Sequence, residues 1–182
     1  MIEMEIDRLK WLESISLTYG PHASVEDGVC AMEAVAYVAG GPHSDAPKCA
    51  SKSIARFVVV LNDRWYDGRR QALKRYIPRI VGTATGAADE RERAFILADW
   101  AVRECTPMRL DILGQMESAD RFRRLSPIVG EKSATAAMKF AKKANVGFRT
   151  AADAAYADAD AAYAYAAAAG IAAAAAAYAA AA

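Results

Sequence analysis

The sequence lacks the features of a membrane, secreted or disulfide-rich protein. Its first nineteen residues carry six charged side chains, which excludes the uncharged apolar region of a signal peptide. The one long uncharged stretch begins at Ala161 and is mostly alanine, which is too weakly hydrophobic to predict a membrane-spanning helix. Three cysteines make an odd and sparse set. We therefore expect no membrane anchor and a reducing, cytoplasmic environment.

The sequence also has no large excess of charge of either sign, because 23 Lys and Arg residues balance 22 Asp and Glu residues, for a formal net charge of +1. Nothing in this balance demands a polyanionic partner. The apolar fraction of 54% overstates the core, since 44 residues are alanine and 23 of these lie among the last 32 residues. The first 150 residues have the composition of one ordinary soluble domain.

Strand signals are few, and the pattern predicts an all-α fold. The best strand candidate, Val58 to Val60, lies in an apolar stretch from Ser51 to Trp65 without an alternating partner. We interpret the stretch as a buried helix capped by Ser51 or Ser53. Residues 29–39 are apolar on nearly every side and predict a central helix ended by glycines. Further helices are predicted at residues 6–15, at 69–81 with Pro78 kinking or ending the helix, at 89–105 opening with a capping box, from Pro107 as a short helix, and at 117–125.

These elements predict five to seven helices in a compact helical domain over residues 1–130, followed by an Ala-rich helical tail over residues 131–182. Alanine has the highest helix propensity, and the tail contains no proline. As one unbroken helix its 52 residues would span about 78 Å. An alanine face allows close pairing of helices, with tyrosines at the rim. The alternatives are a plain spacer and a flat face that binds an ordered surface.

The stretch from Asp27 to Lys52 holds the residue types of a chemical site, namely Cys30, Glu33, His43, Asp45 and Cys49. A thiolate at Cys30 could act as nucleophile, with His43 as base and Asp45 as orienting group, and a helix N-terminus would lower the thiol pKa. Glu33 is the one charge in an apolar helix.

Three other interpretations of the same stretch stay open. Cys30, His43 and Cys49 could bind zinc with Glu33 or Asp45, although the usual ligand spacing is missing. Cys30 and Cys49 could form a disulfide. In the structural alternative, both cysteines are small buried residues and Glu33 pairs with an arginine such as Arg56.

Several sequence patterns together extend over nearly the whole chain. In chain order they are GVCAMEAVAYVAG, PHSDAPKCAS, LNDRW, IPRIVGT, ADWAVRECTPMRLD and an Ala-rich tail. In these motifs the sequence resembles an uncharacterised family of actinobacterial and actinobacteriophage proteins. The resemblance implies a bacterial cytoplasm, that of the host if the protein is phage-encoded, or a virion. It transfers no fold, activity, cofactor or functional residue.

A basic face on one predicted helix indicates a different function, the binding of nucleic acid. Arg70, Lys74, Arg75 and Arg79 are predicted opposite the apolar stripe of their helix, with no acidic residue between Gly68 and Val81. Such residues contact phosphates in nucleic-acid grooves, although no named DNA-binding or RNA-binding motif accompanies them.

The sequence therefore predicts a non-enzymatic structural or interaction protein that forms homo-oligomers, or binds a partner helix, through the Ala-rich helix. No cofactor or membrane partner is expected. Binding of nucleic acid through the basic face is the first alternative. A Cys-dependent enzyme or zinc protein centred on Cys30 is the second.

Overall fold

The computed structural model describes residues 6–154, with side chains described except at position 142 and from 145 onward. The all-α prediction is confirmed, because every regular element in this range is helical and no strand occurs in it. None of the helices in the described range has the length and apolarity needed to cross a membrane.

Contacts divide the chain into two compact units, the first ending at Glu90 and the second beginning at Arg91. The elements of the first unit are α1 (Ile6–Ser14), α2 (Ala31–Val38), α3 (Lys52–Arg64), α4 (Asp67–Arg70), a 3-10 segment (Gln71–Tyr76) and α5 (Ile77–Ile80). Helix α6 (Ala87–Trp100) crosses the boundary between the units. The second unit continues with a π-helical segment (Ala101–Cys105), α7 (Thr106–Ile112), α8 (Met116–Arg123) and α9 (Glu131–Ala154).

Helix α2 is the central helix of the first unit, as its sequence predicts. Its apolar residues pack on α1, α3 and α5, and seven of its eight residues are buried. Gly40 ends the helix with a φ of +74°, a left-handed conformation that glycine adopts without strain. The Val58–Val60 stretch is helical within α3, and Ser51 is the N-cap, accepting a 3.3 Å hydrogen bond from the Ile54 amide.

The stretch predicted as one helix over residues 69–81, kinked or ended by Pro78, is helical but divided among α4, the 3-10 segment and α5, which begins one residue before the proline. Pro78 lies in the first turn of α5, where a missing amide hydrogen removes no helical hydrogen bond. The proline thus begins a new helical turn, and the apolar residues Leu73, Ile77 and Ile80 still reach the core.

A second proline explains the irregular segment before α7. Pro107 lies in the first turn of α7 and cannot donate a backbone hydrogen bond to the preceding turn. The chain widens there into the π-helical segment, and both the amide and the hydroxyl of Thr106 donate to the Ala101 carbonyl, the hydroxyl at 2.9 Å.

The unit boundary at Glu90 differs from the predicted division after residue 130. Helix α9 begins at Glu131, but its first half packs inside the second unit, where Ala137 is buried and the Phe140 ring meets the Phe122 ring edge-on at 5.0 Å. The prediction for the Ala-rich tail beyond Ala154 lies outside the described residues.

Candidate functional site

The first unit contains a buried carboxylate on which both histidines of the chain converge. Glu33 lies within α2 and is 1% exposed. The His22 Nδ1 atom lies 2.8 Å from Glu33 Oε2, and the His43 Nε2 atom lies 3.6 Å from Glu33 Oε1. The chain has two histidines in all, so both of them meet at this one carboxylate.

Backbone amides complete the surroundings of the carboxylate. The His22 amide donates to Oε1 at 2.6 Å, and the Cys30 amide donates to Oε2 at 2.7 Å. Burial raises the pKa of Glu33, but these two amides and the His22 imidazole outweigh it, so the pKa lies below its ordinary value of 4.5. Glu33 is therefore an anion at neutral pH.

An ionised Glu33 fixes the tautomer of His22, because a carboxylate only accepts hydrogen bonds. His22 must carry hydrogen on Nδ1, which leaves Nε2 free to accept when the ring is neutral. The Thr18 Oγ1 atom lies 3.0 Å from this Nε2 and also accepts the Val29 amide at 3.0 Å. Hydroxyl, imidazole and carboxylate thus form one chain of hydrogen bonds.

Side chains of neighbouring elements hold the loop that carries Thr18 and His22. Gln71 forms a reciprocal pair of hydrogen bonds with the Leu17 backbone, and Asn62 donates to the Thr18 carbonyl at 3.0 Å. The Asp63 carboxylate accepts the Gly20 amide at 3.1 Å. These contacts attach the loop that precedes α2 both to α3 and to the 3-10 segment. The arrangement around Glu33 is therefore anchored at several points.

The surroundings of Cys30 do not favour the thiolate nucleophile that was one interpretation of this residue. Cys30 is the N-cap of α2, and its sulfur accepts a weak 3.5 Å hydrogen bond from the Glu33 amide. Burial raises the pKa of the Cys30 thiol to about 12, and the Glu33 charge adds to this effect. The His43 ring contacts the His22 carbonyl and Glu33, and Asp45 is an exposed loop residue. Desolvation has overcome the helix-terminus effect on which the prediction depended.

The zinc and disulfide interpretations find no support either. No three His, Cys, Asp or Glu side chains within residues 6–154 form a group that could hold a metal ion, so Cys30, His43 and Cys49 make no ligand set. Cys30 and Cys49 are both free thiols. The proposed pairing of Glu33 with Arg56 is also wrong, because His22 and His43 occupy the carboxylate.

His22 is the functional candidate that the sequence interpretation missed. In the sequence it belongs to a helix break after Tyr19 and carries no motif of its own. The sequence signal that could have found His22 is Glu33, because a carboxylate inside an apolar helix requires hydrogen-bond donors. Histidine is one of few residues that can supply them, and the chain has two.

The predicted basic face does not form as one surface. The Arg70 side chain is buried and donates to the carbonyls of Asn62 and Trp65 and to the Asp67 carboxylate. Lys74 donates to the carbonyl of Glu13, in the last turn of α1, and to that of Ile15, just after the helix. Arg75 and Arg79 are exposed, with Arg75 lying over the Tyr76 ring. Two of the four cations are thus used within the fold.

The second unit exposes apolar side chains on α7 and at the start of α8. Met108 is 62% exposed and Ile112 is 71% exposed, and their spacing of four residues places them on one face of α7. Met116, 61% exposed, begins α8. We call these three residues the Met108–Met116 surface. Large apolar side chains exposed together are typical of interaction surfaces.

No protein-family model, curated protein or solved structure matches this chain.

Proposed function

We propose that this protein is an interaction protein that associates with copies of itself. The observation that carries the proposal is the Met108–Met116 surface, because its side chains remain 61–71% exposed although the same helices bury Leu110, Ala119 and Phe122 in the core. Burial of such side chains contributes about 25 cal/mol per Å² of apolar area. Association is the event that would supply this burial.

The proposed occupant is the Ala-rich segment, residues 155–182, of a second copy. This segment has no charged residue after Asp160, and its larger side chains are tyrosines and one isoleucine. Methionine side chains are flexible and adapt to different apolar partners, including helices laid in a groove. The part of this segment after Asp160 and the Met108, Ile112 and Met116 side chains are all uncharged, which makes them complementary.

The length of the C-terminal region favours a second copy over the same chain. Residues 131–182 would span about 78 Å if they formed one helix, whereas a domain of about 150 residues has a radius of gyration near 15 Å. A segment of this length can reach beyond its own unit. We infer a homo-oligomer in which the tail of one chain covers the apolar surface of another.

Light scattering after size-exclusion chromatography tests the proposal. The full chain should elute as a multiple of its 19.5 kDa mass, and a chain ending at Ala154 should have a lower oligomeric mass. Ile112→Lys should lower the mass in the same way, since a charge would be placed in the contact. Val129→Lys is the matched control, because Val129 lies in the same unit and is 81% exposed but outside the surface.

A mass of 19.5 kDa for the full chain over a wide range of concentration would contradict self-association. An oligomer that persists unchanged after removal of residues 155–182 would contradict the role of the tail. An equal loss of mass in Ile112→Lys and Val129→Lys would contradict the role of the Met108–Met116 surface.

A further inference from the structure

The Thr18, His22 and Glu33 side chains have the hydrogen-bond geometry of a nucleophile, a base and an orienting carboxylate. The Thr18 hydroxyl lies 3.0 Å from His22 Nε2, and His22 Nδ1 lies 2.8 Å from the Glu33 carboxylate. These distances are within the range at which a base can take a proton from a hydroxyl. We propose that this arrangement activates the Thr18 hydroxyl as a nucleophile toward carboxylic esters.

The direction of proton flow follows from the contacts at each atom. Because Glu33 is an anion held by the His22 and Cys30 amides, it accepts hydrogen from His22 Nδ1 and not the reverse. With hydrogen on Nδ1, the neutral form of His22 offers its Nε2 lone pair to the Thr18 proton. The Val29 amide donates to Thr18 Oγ1 and holds the oxygen in place, and a second lone pair remains for attack.

Gly28 keeps the neighbourhood of the two reacting atoms free of a side chain. A Cβ at this position would lie 2.6 Å from His22 Nε2 and 2.8 Å from Thr18 Oγ1. Both distances are too short for a side chain, so residue 28 must be glycine for the pair to exist. Thr18 and His22 are partly exposed, in contrast to the buried Glu33.

The reaction balances without any further cofactor. Thr18 Oγ1 forms a bond to the ester carbonyl carbon while its proton passes to His22 Nε2. The bond from that carbon to the alcohol oxygen breaks, and His22 returns the proton to the leaving alcohol. Water then attacks the acyl-threonine as His22 takes its proton, which releases the carboxylic acid and restores the Thr18 hydroxyl.

This inference stands apart from self-association, because it rests on the first unit and not on the Met108–Met116 surface or the tail. Its test uses the full chain and a fluorophosphonate probe. The Thr18 oxygen would form a bond to phosphorus, fluoride would leave, and the proton would pass to His22 and then to solvent. Peptide mass spectrometry then locates the label.

We expect the label on Thr18, with labelling slowed about 100-fold in His22→Gln, since a positioned base contributes 10²–10⁴-fold. Glutamine can still donate to Glu33 but cannot act as the base. Thr18→Ser keeps the hydroxyl and should still be labelled at residue 18, while Thr18→Val should not. Thr106 is the internal control, because its buried hydroxyl donates to a carbonyl and has no histidine beside it.

Circular dichroism of each variant separates loss of chemistry from loss of fold. No label on Thr18 in the folded parent chain and in folded Thr18→Ser would overturn the proposal. A label found elsewhere, or equal labelling of Thr18 in the parent and in His22→Gln, would overturn it as well. A purely structural role for these side chains predicts these negative results together with lower stability of Thr18→Val.

Discussion

The substitution Glu33→Gln tests the buried carboxylate with almost no change of shape. A carboxylate accepts on both oxygens, whereas an amide accepts on one and donates on the other. With the amide nitrogen at the Oε1 position, it would face the His22 amide at 2.6 Å. At the Oε2 position it would face both the Cys30 amide at 2.7 Å and His22 Nδ1 at 2.8 Å.

The magnitude follows from the better of these two orientations. It leaves the His22 backbone amide without its acceptor, and an unsatisfied buried donor costs about 1–3 kcal/mol. It also replaces the hydrogen bonds of an anion by those of a neutral amide, and bonds to charged groups contribute about 1.5–3 kcal/mol. We expect the free energy of unfolding to fall by about 3 kcal/mol.

Urea denaturation followed by circular dichroism measures this loss as a lower midpoint at unchanged slope. The matched control is Glu13→Gln, because Glu13 is an exposed carboxylate and surface substitutions stay within about 0.5 kcal/mol. If Glu33→Gln were as stable as Glu13→Gln, Glu33 would not be the ionised acceptor of three strong hydrogen bonds.

The remaining predictions concern acid, thiols and the internal arginine. The folded-state pKa of Glu33 lies below 4.5, so the stabilisation by its carboxylate is present above the unfolded-state pKa and is lost as the pH falls through the folded-state pKa. The difference in free energy of unfolding between the parent and Glu33→Gln, measured in urea, should therefore shrink below about pH 4. Burial raises the pKa of the Cys30 thiol to about 12, so iodoacetamide at pH 7 should leave Cys30 unmodified in the folded protein and modify it in urea. Rapid modification of Cys30 in the folded protein would contradict its place as a buried N-cap. Arg70→Lys should lower the melting temperature, because one ammonium cannot reach the Asn62 and Trp65 carbonyls and Asp67 together, while Arg79→Lys should leave it unchanged.

Local sequence signals predicted much of the helical fold, because caps and breakers act over a few residues. Ser51 capped α3 as expected, Gly40 ended α2, and Pro107 lies in the first turn of α7. Pro78 was expected to kink or end the helix at residues 69–81, but the 3-10 segment was not predicted, since an apolar stripe at helical spacing also fits successive short turns that bury Leu73 and Ile77. The unit boundary at Glu90 depends on tertiary contacts, such as the packing of Phe140 on Phe122, which local sequence signals do not encode.

The candidate site was predicted only in part. Glu33 stood out because a charge inside an apolar helix requires partners, and His43 was placed in the same group of residues. Thr18 and His22 precede α2 on a separate loop, and their positions depend on Asn62 and Gln71, which come 40 or more residues later. Sequence spacing carries no information about such anchoring.

Gly28 offers the sharpest remaining test of the arrangement around His22. Its φ of +139° strains any other residue, and a Cβ would lie 2.6 Å from the His22 ring. The ring cannot move aside without losing its 2.8 Å bond to Glu33. Gly86 is the matched control, because its φ is +143° and a Cβ added there would have nothing within 4 Å of it.

Both alanine variants carry similar backbone strain, which costs about 1–3 kcal/mol. Gly28→Ala adds the forced separation of Thr18 from His22, and overpacking of this kind costs a further 1–3 kcal/mol. Urea denaturation should therefore show Gly28→Ala to be less stable than Gly86→Ala by that difference, and fluorophosphonate labelling of Thr18 should be lost in Gly28→Ala alone. Equal stability of the two variants, with Thr18 labelled equally in both, would mean that Thr18 and His22 do not lie against Gly28.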